Sequence, residues 1–205
     1  SEVCAFNALV VLKSHVMVFP ELCHGCGGCA VLCPEQAITE ENREIGTVLT
    51  GWSGKIKFVY GRLRPGEAFS PPVVKAVKRK MDRERVVIID CPPGTSCPMV
   101  ESVKGSDFAI LVTEPTPFGL HDLKLAVEVV EELGIPAGVV INRADIGDDE
   151  AKNYCSEKGL PVLAGIPWDR DLATYYARGV PVANISDRWK GLFGRIFEEV
   201  VRLLS

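Results

Sequence analysis

The amino-acid sequence predicts an α/β protein: a mostly parallel sheet covered by helices on both sides, with a small cysteine-held unit ahead of it. Three observations lead there. After residue 85, continuous apolar runs of strand length alternate with stretches of helical periodicity. Strands that are apolar on both faces and separated by helices belong to parallel sheets. Five of the eight cysteines fall within the first 33 residues. The chain also repeats itself there. Ser1-Glu2-Val3-Cys4-Ala5-Phe6-Asn7-Ala8-Leu9 lies over Ala30-Val31-Leu32-Cys33-Pro34-Glu35-Gln36-Ala37-Ile38 at an offset of 29 residues.

The cysteine unit comes first. Cys23-His24-Gly25-Cys26-Gly27-Gly28-Cys29-Ala30-Val31-Leu32-Cys33-Pro34 is the run C-x2-C-x2-C-x3-C-P. In such a run three thiolates wrap one [4Fe–4S] cluster, and the fourth cysteine serves the other cluster of a two-cluster protein. Gly25, Gly27 and Gly28 let the backbone fold close to the sulfurs. By the repeat, Cys4 is the distant fourth ligand of the cluster held by Cys23, Cys26 and Cys29. This segment resembles the bacterial two-cluster ferredoxins, in which the fourth ligand stands the same 19 residues ahead of the run as Cys4 does here. Cys33 is then expected to ligate a second cluster. Shifted back by 29, Cys23, Cys26 and Cys29 fall just off the start of the sequence, which opens on Ser. The expectation is therefore a chain cut inside the first half of a two-fold repeat. Three alternatives stay open: a zinc site, unligated buried thiols, or Cys33 in place of Cys4 as the fourth ligand. Zinc ligands come in pairs across a longer loop more often than in a run of three. His24 either tunes the potential or is an ordinary exposed loop residue.

The next elements follow in order. Short apolar alternation on either side of Gly51-Trp52-Ser53-Gly54-Lys55 predicts a hairpin with arms at 46–49 and 56–60. Val73, Val74, Val77 and Met81 have helical spacing after two prolines, which predicts a helix over 71–81. Strands are expected at 86–89, 108–112, 137–141 and 162–164, and helices at 119–133, 149–158, 170–177 and 190–204. The last helix carries Leu192, Phe193, Ile196, Phe197, Val200, Val201 and Leu204 in one stripe, expected to pack on the sheet. The domains are read as 1–42, the cluster unit incomplete at its N-terminus, and 43–205, the α/β unit.

The strand ends carry polar motifs. Val86-Val87-Ile88-Ile89-Asp90-Cys91-Pro92-Pro93-Gly94-Thr95 is an apolar run ending in Asp and a Pro-Pro-Gly turn. Thr113-Glu114-Pro115-Thr116 follows the next strand, Asn142-Arg143-Ala144-Asp145 the one after, and then Ile166-Pro167-Trp168-Asp169 with Leu172-Ala173. A strand-end aspartate can hold Mg²⁺, and a strand-end amide can pair with the adenine edge. In this order the motifs resemble the MinD/ParA/Mrp group of P-loop ATPases, in the branch with an inserted ferredoxin domain. The resemblance implies a P-loop NTPase sheet of MinD-like type. It also implies Asp90 as the switch and magnesium-site aspartate, Gly94 in the phosphate-sensing turn, Asn142 on adenine, and Pro167 to Asp169 along the base pocket. One departure is large: the family's Gly-Lys-Gly-Gly-x-Gly-Lys-Thr loop is absent, and the only Gly-Lys pair, Gly54-Lys55, lies in the hairpin. A P-loop supplies the amide cradle and lysine that bind phosphates. The chain as it stands is therefore expected to bind ATP poorly and not to turn it over. The nitrogenase iron protein, a relative of that group, has a cluster ligand as far from its switch aspartate as Cys97 is from Asp90. Cys97 is either a metal ligand at a dimer interface or a small buried thiol. Cys91 and Cys155 read as packing residues, and Tyr175-Tyr176 as a core-and-surface pair on a helix.

The composition narrows the function classes. Apolar residues make up 47% and charged residues 24%, with a net charge of −4. That balance gives no reason to expect nucleic acid or an acidic membrane as a partner. No apolar run approaches a membrane span, and metal thiolates imply a reducing, cytoplasmic setting. The leading expectation is an iron–sulfur protein that couples nucleotide state to electron transfer or cluster handling, an ATPase when complete with ATP and Mg²⁺. Its partners would be a redox protein or an iron–sulfur client, and a second copy of itself. The alternative is a non-catalytic electron carrier or cluster scaffold whose α/β unit is a docking module. Iron and sulfide analysis checks the ligand assignment: Cys4→Ala should lose the cluster, whereas Cys33→Ala should spare it.

Overall fold

The computed structural model of the chain describes residues 3–13 and 15–205. Two compact units emerge, Ser1–Asp90 and Cys91–Ser205.

In the first unit, β1 (Leu9–Leu12) and β2 (His15–Val18) form an antiparallel pair, Leu9 opposite Val18 and Leu12 opposite His15. Phe19 continues the pairing by donating its N–H to the Ala8 carbonyl at 2.8 Å. A short turn of 3₁₀ helix, Pro20–Leu22, leads into the cysteine run, which contains a single helical turn, α1 (Gly28–Val31). The expected hairpin follows as β3 (Gly46–Ser53) and β4 (Ile56–Leu63), longer at both ends than its sequence pattern indicates. Gly54 turns it with a φ of 56°, a conformation that glycine adopts without steric cost. Helix α2 (Pro71–Lys78) begins on two prolines, whose missing N–H groups cost nothing in a first turn. Its Val73 is buried against β3 and β4. Gly61 makes that approach possible, because a Cβ there would overlap the Val73 methyl Cγ1 and crowd Val77.

The second unit holds a three-stranded parallel sheet in the order β5 (Ala109–Thr113), β6 (Ala137–Asn142), β7 (Val162–Ile166). Helices α3 (Cys97–Val103), α4 (Pro117–Glu132), α5 (Glu150–Lys158), α6 (Arg170–Ala177) and α7 (Asp187–Leu204) complete it. The central strand explains the architecture. Gly138, Val139, Val140 and Ile141 are all buried, as expected of a parallel strand covered on both faces. Val127, Val130, Val139, Ile141 and Cys155 are fully buried and belong to one core with Leu111, Leu123 and Met99. Cys155 is thus a packing residue, and burial pushes its thiol pKa up. Helix α4 starts where Thr116 accepts the Gly119 N–H at 3.0 Å with Pro117 next in line. Helix α5 stops at Gly159, which takes a φ of 66°.

Several sequence expectations change. Residues 86–89 form no β-ladder. Val86, Val87 and Ile88 are 70%, 42% and 89% exposed. The run has the composition of a buried strand, but a strand also needs a neighbour's N–H and C=O groups. Among the described residues β5, β6 and β7 pair only with one another. Cys97 is not buried: it is exposed at the start of α3, a helix the apolar periodicity did not reveal. Tyr175 and Tyr176 are both exposed, so neither is a core residue. Helix α7 buries Trp189 and Ile196, but Phe193, Phe197 and Val201 on the same stripe remain exposed.

Gly61→Ala should destabilise the first unit by about 1–3 kcal/mol through overpacking. Adding Val73→Ala should recover part of that loss, as measured by urea unfolding.

Candidate functional site

The cysteine loops are built from short, locally determined turns. Gly25 and Gly27 take φ values of 62° and 73°, positions where a side chain would be strained. They reverse the chain between Cys23 and Cys26 and again before Cys29, which sits inside α1. The internal repeat reappears in the backbone. Asn7 donates its N–H to the Cys4 carbonyl at 3.1 Å with a φ of 51°. Twenty-nine residues later, Gln36 does the same to Cys33 at 3.1 Å with a φ of 49°. Non-glycine residues with positive φ are uncommon, so two at equivalent positions mark one turn used twice. Each turn aims an amide at the sulfur. Ala8 N–H donates to Cys4 Sγ at 3.3 Å, and Ala37 N–H donates to Cys33 Sγ at 3.4 Å. The amides of Phe6 and Ala8 hold the Cys4 thiol below its usual pKa. Amide donors suit thiolate acceptors and are one of the levers that set an iron–sulfur potential.

The stretch around Cys4 meets the run that begins at Cys23 through two rings. Phe6 stacks on His24 with centroids 3.5 Å apart and planes 7° from parallel. His24 also meets Phe69, with centroids 4.0 Å apart. It is therefore a packed residue rather than a free loop residue. A second tie runs through Arg43. It donates through Nη1 to Glu67 Oε2 at 2.5 Å and through Nη2 to the Pro20 carbonyl at 3.1 Å. The Glu67 side chain is only 2% exposed, and its Oε1 accepts the Phe69 N–H at 3.4 Å. The Arg43 guanidinium holds the Glu67 carboxyl below the usual carboxylate range, and Glu67 raises Arg43 in turn. Phe6, Arg43, Glu67 and Phe69 form no spaced motif, so nothing in the sequence pattern pointed to them.

Among the described residues no three His, Cys, Asp or Glu side chains form a group that holds a metal ion as they stand. Cys23 and Cys26 are exposed, and Cys4, Cys29 and Cys33 are half-buried. The fold brings together the two stretches of backbone, and the donor set is of thiols alone. That chemistry fits an iron–sulfur cluster.

In the second unit the polar motifs gather at the carboxyl ends of the parallel strands, where open α/β sheets bind ligands. Asn142 closes β6 and donates through Nδ2 to Glu114 Oε1 at 3.2 Å. Arg143, at a φ of 52°, reaches the other oxygen of Glu114 at 3.5 Å. Beyond β7, Trp168 N–H donates to Asp145 Oδ1 at 2.6 Å. Asp169 caps α6 by accepting the Leu172 N–H at 2.9 Å. Ala144 N–H to the Ile166 carbonyl, at 2.9 Å, holds the two strand ends side by side. Asn142, Pro167 and Asp169 are thus brought to neighbouring strand ends. Asp90 is exposed and closes the first unit, and Gly94 lies in the second in an exposed turn with a φ of 82°. Glu114 and Asp145 hold the strand-end loops in place. Both stand in the strand-end motifs, but only the fold shows what they bind.

Comparison with known proteins places these features in a family. The model of a 4Fe–4S binding domain matches residues 16–39, which include Cys23, Cys26, Cys29 and Cys33 and leave Cys4 outside. An uncharacterized protein of Methanocaldococcus jannaschii is 28% identical over 91% of this chain and 66% of its own length. A second from the same organism is 27% identical over 97% of this chain and 68% of its own length. The chain therefore spans about two thirds of the length of these relatives. An iron–sulfur cluster carrier protein of Aquifex aeolicus is 28% identical over 47% of this chain and 30% of its own length. The crystal structure of the cell division ATPase MinD from Pyrococcus furiosus covers 65% of this chain with a TM-score of 0.49 and 27% identity. The model of the CobQ/CobB/MinD/ParA nucleotide binding domain matches residues 75–182. With more than half of its length matched, and with a 4Fe–4S binding segment ahead of that match, the chain belongs to the CobQ/CobB/MinD/ParA nucleotide-binding family.

Proposed function

We propose that this protein carries a [4Fe–4S] cluster and hands it, or an electron from it, to a client protein under the control of nucleotide state. One observation supports this above the others: a 4Fe–4S binding segment and a MinD-type nucleotide domain share one chain. The relatives called iron–sulfur cluster carriers point the same way.

The residues divide the work. Cys23, Cys26 and Cys29 would hold the cluster with Cys4, and Cys33 would serve a second one. A bound cluster supplies a one-electron store. The amides of Ala8 and Ala37 stabilise negative charge on the sulfurs of Cys4 and Cys33. Asp90 would hold Mg²⁺ in its role as switch aspartate, and Gly94 gives the neighbouring turn room to approach phosphate. Asn142 has its amide nitrogen engaged by Glu114, which leaves its carbonyl oxygen free to accept from the adenine amino group. Pro167 would line the base, and Asp169 fixes the loop by capping α6. Phosphate binding would be completed by a P-loop that these 205 residues do not contain. We place the activity in the cytoplasm, in a homodimer closed over ATP. No helix among the described residues is long and apolar enough to cross a membrane.

A second reading, an electron carrier with a docking module, draws on the amide-to-sulfur bonds of Cys4 and Cys33, which suit a cluster that is kept. Cluster transfer separates the two. The full-length protein, loaded anaerobically, is mixed with an apo-ferredoxin, and transfer is followed by visible circular dichroism with and without ATP. Transfer that responds to ATP and loses that response in Asp90→Ala is the expected result. A cluster that stays put through ATP addition, while cycling one electron, would establish the carrier reading instead.

A further inference from the structure

We infer that Arg43, clamped between Glu67 and the Pro20 carbonyl, is a positioning residue that fixes the Cys23 loop and raises the reduction potential of the cluster bound there. The inference rests on the reading of Cys23 as a cluster ligand.

The geometry starts at one carbonyl. Pro20 C=O accepts the N–H of Cys23 at 3.2 Å and Arg43 Nη2 at 3.1 Å. The guanidinium and the backbone of the ligand therefore converge on the same oxygen, and Cys23 lies within the electrostatic reach of Arg43. Glu67 locks the arginine in place. The Glu67 side chain is 2% exposed, whereas that of Arg43 is 39% exposed. Phe69 N–H holds the second carboxylate oxygen, and the Phe69 ring meets His24, the residue after Cys23. Two residues of the β4–α2 connection, Glu67 and Phe69, thus reach the cluster loop by two routes, one ionic through Arg43 and one aromatic through His24.

The consequence is electrostatic. Reduction adds one electron to the cluster, and a fixed positive charge nearby favours the more negative state. Within the pair, Arg43 reaches through Nη2 to the Pro20 carbonyl, which also accepts the Cys23 N–H, and meets Glu67 through Nη1. Neutralising the two partners should therefore move the potential in opposite directions. Arg43→Gln should lower it, and Glu67→Gln, which keeps an oxygen acceptor for Arg43, should raise it. A role confined to holding the loop would move both variants the same way.

The test is a dithionite titration of the anaerobically reconstituted chain, with the reduced state read by electron paramagnetic resonance. The expected effect is about three- to tenfold in the reduction equilibrium, the upper figure being about 59 mV for one electron. It should shrink at high salt, because Arg43 is partly open to solvent. Arg43→Lys should restore most of the charge effect. Equal potentials in all three variants, or shifts of one sign in Arg43→Gln and Glu67→Gln, would overturn the inference while leaving the cluster assignment intact. If Arg43→Gln assembles no cluster, the upward shift of Glu67→Gln decides alone: its presence supports the inference and its absence refutes it. Wild-type chain that takes up no iron would overturn the cluster reading itself, a distinct outcome.

Discussion

The contact between Phe6 and His24 is the interaction on which the first unit depends. Four thiolates serve one cluster only if two separate stretches of chain lie side by side. Cys4 is the fourth residue, and Cys23 is separated from it by the whole of β1 and β2. The hairpin of β1 and β2 returns the chain to its starting point, and the stacked rings fasten the return. Stacked rings contribute about 0.5–1.5 kcal/mol beyond the area they bury. That is modest against the entropy of closing a loop of this length, so the ionic tie from Arg43 to Pro20 and Glu67 matters as a second fastening.

The repeat gives this unit its internal logic. The same turn follows Cys4 and Cys33, with the same left-handed residue and the same amide on the sulfur. Neither turn needs glycine at the left-handed position. Asn tolerates that conformation, whereas Gln36 is held there by its surroundings, its N–H bonded to the Cys33 carbonyl. The local geometry is thus duplicated along with the cysteines.

The second unit solves a different problem. Its central strand β6 buries both faces and has little room for polar chemistry, whereas β5 leaves Ile110 and Val112 on an exposed face. That chemistry is displaced to the loops beyond the strands' carboxyl ends. Glu114 binds Asn142 and Arg143 across two strand ends, and Asp145 holds the loop after β7 by its Trp168 amide. Side chains at strand ends are held more rigidly than those on a free loop. That rigidity lets an amide such as Asn142 present a defined edge.

Spacing was legible in the sequence and partnership was not. The C-x2-C-x2-C-x3-C-P run, the offset of 29, the hairpin around Gly54 and the alternation of strand and helix are all local or periodic, and local rules decide them. The apolar run at 86–89 has the right residues for a strand, yet hydrogen-bonding neighbours are a property of the whole sheet, and here it forms no ladder. Cys97 and the Tyr175–Tyr176 pair proved exposed for the same reason, since burial depends on what packs above a residue. The cysteines and the strand-end motifs were determined by sequence alone. The tertiary structure decided that His24 is stacked, that Arg43 and Glu67 are paired beside Cys23, and that Glu114 engages Asn142. Each of these joins residues at least 18 positions apart in the chain, and only folding creates such neighbours.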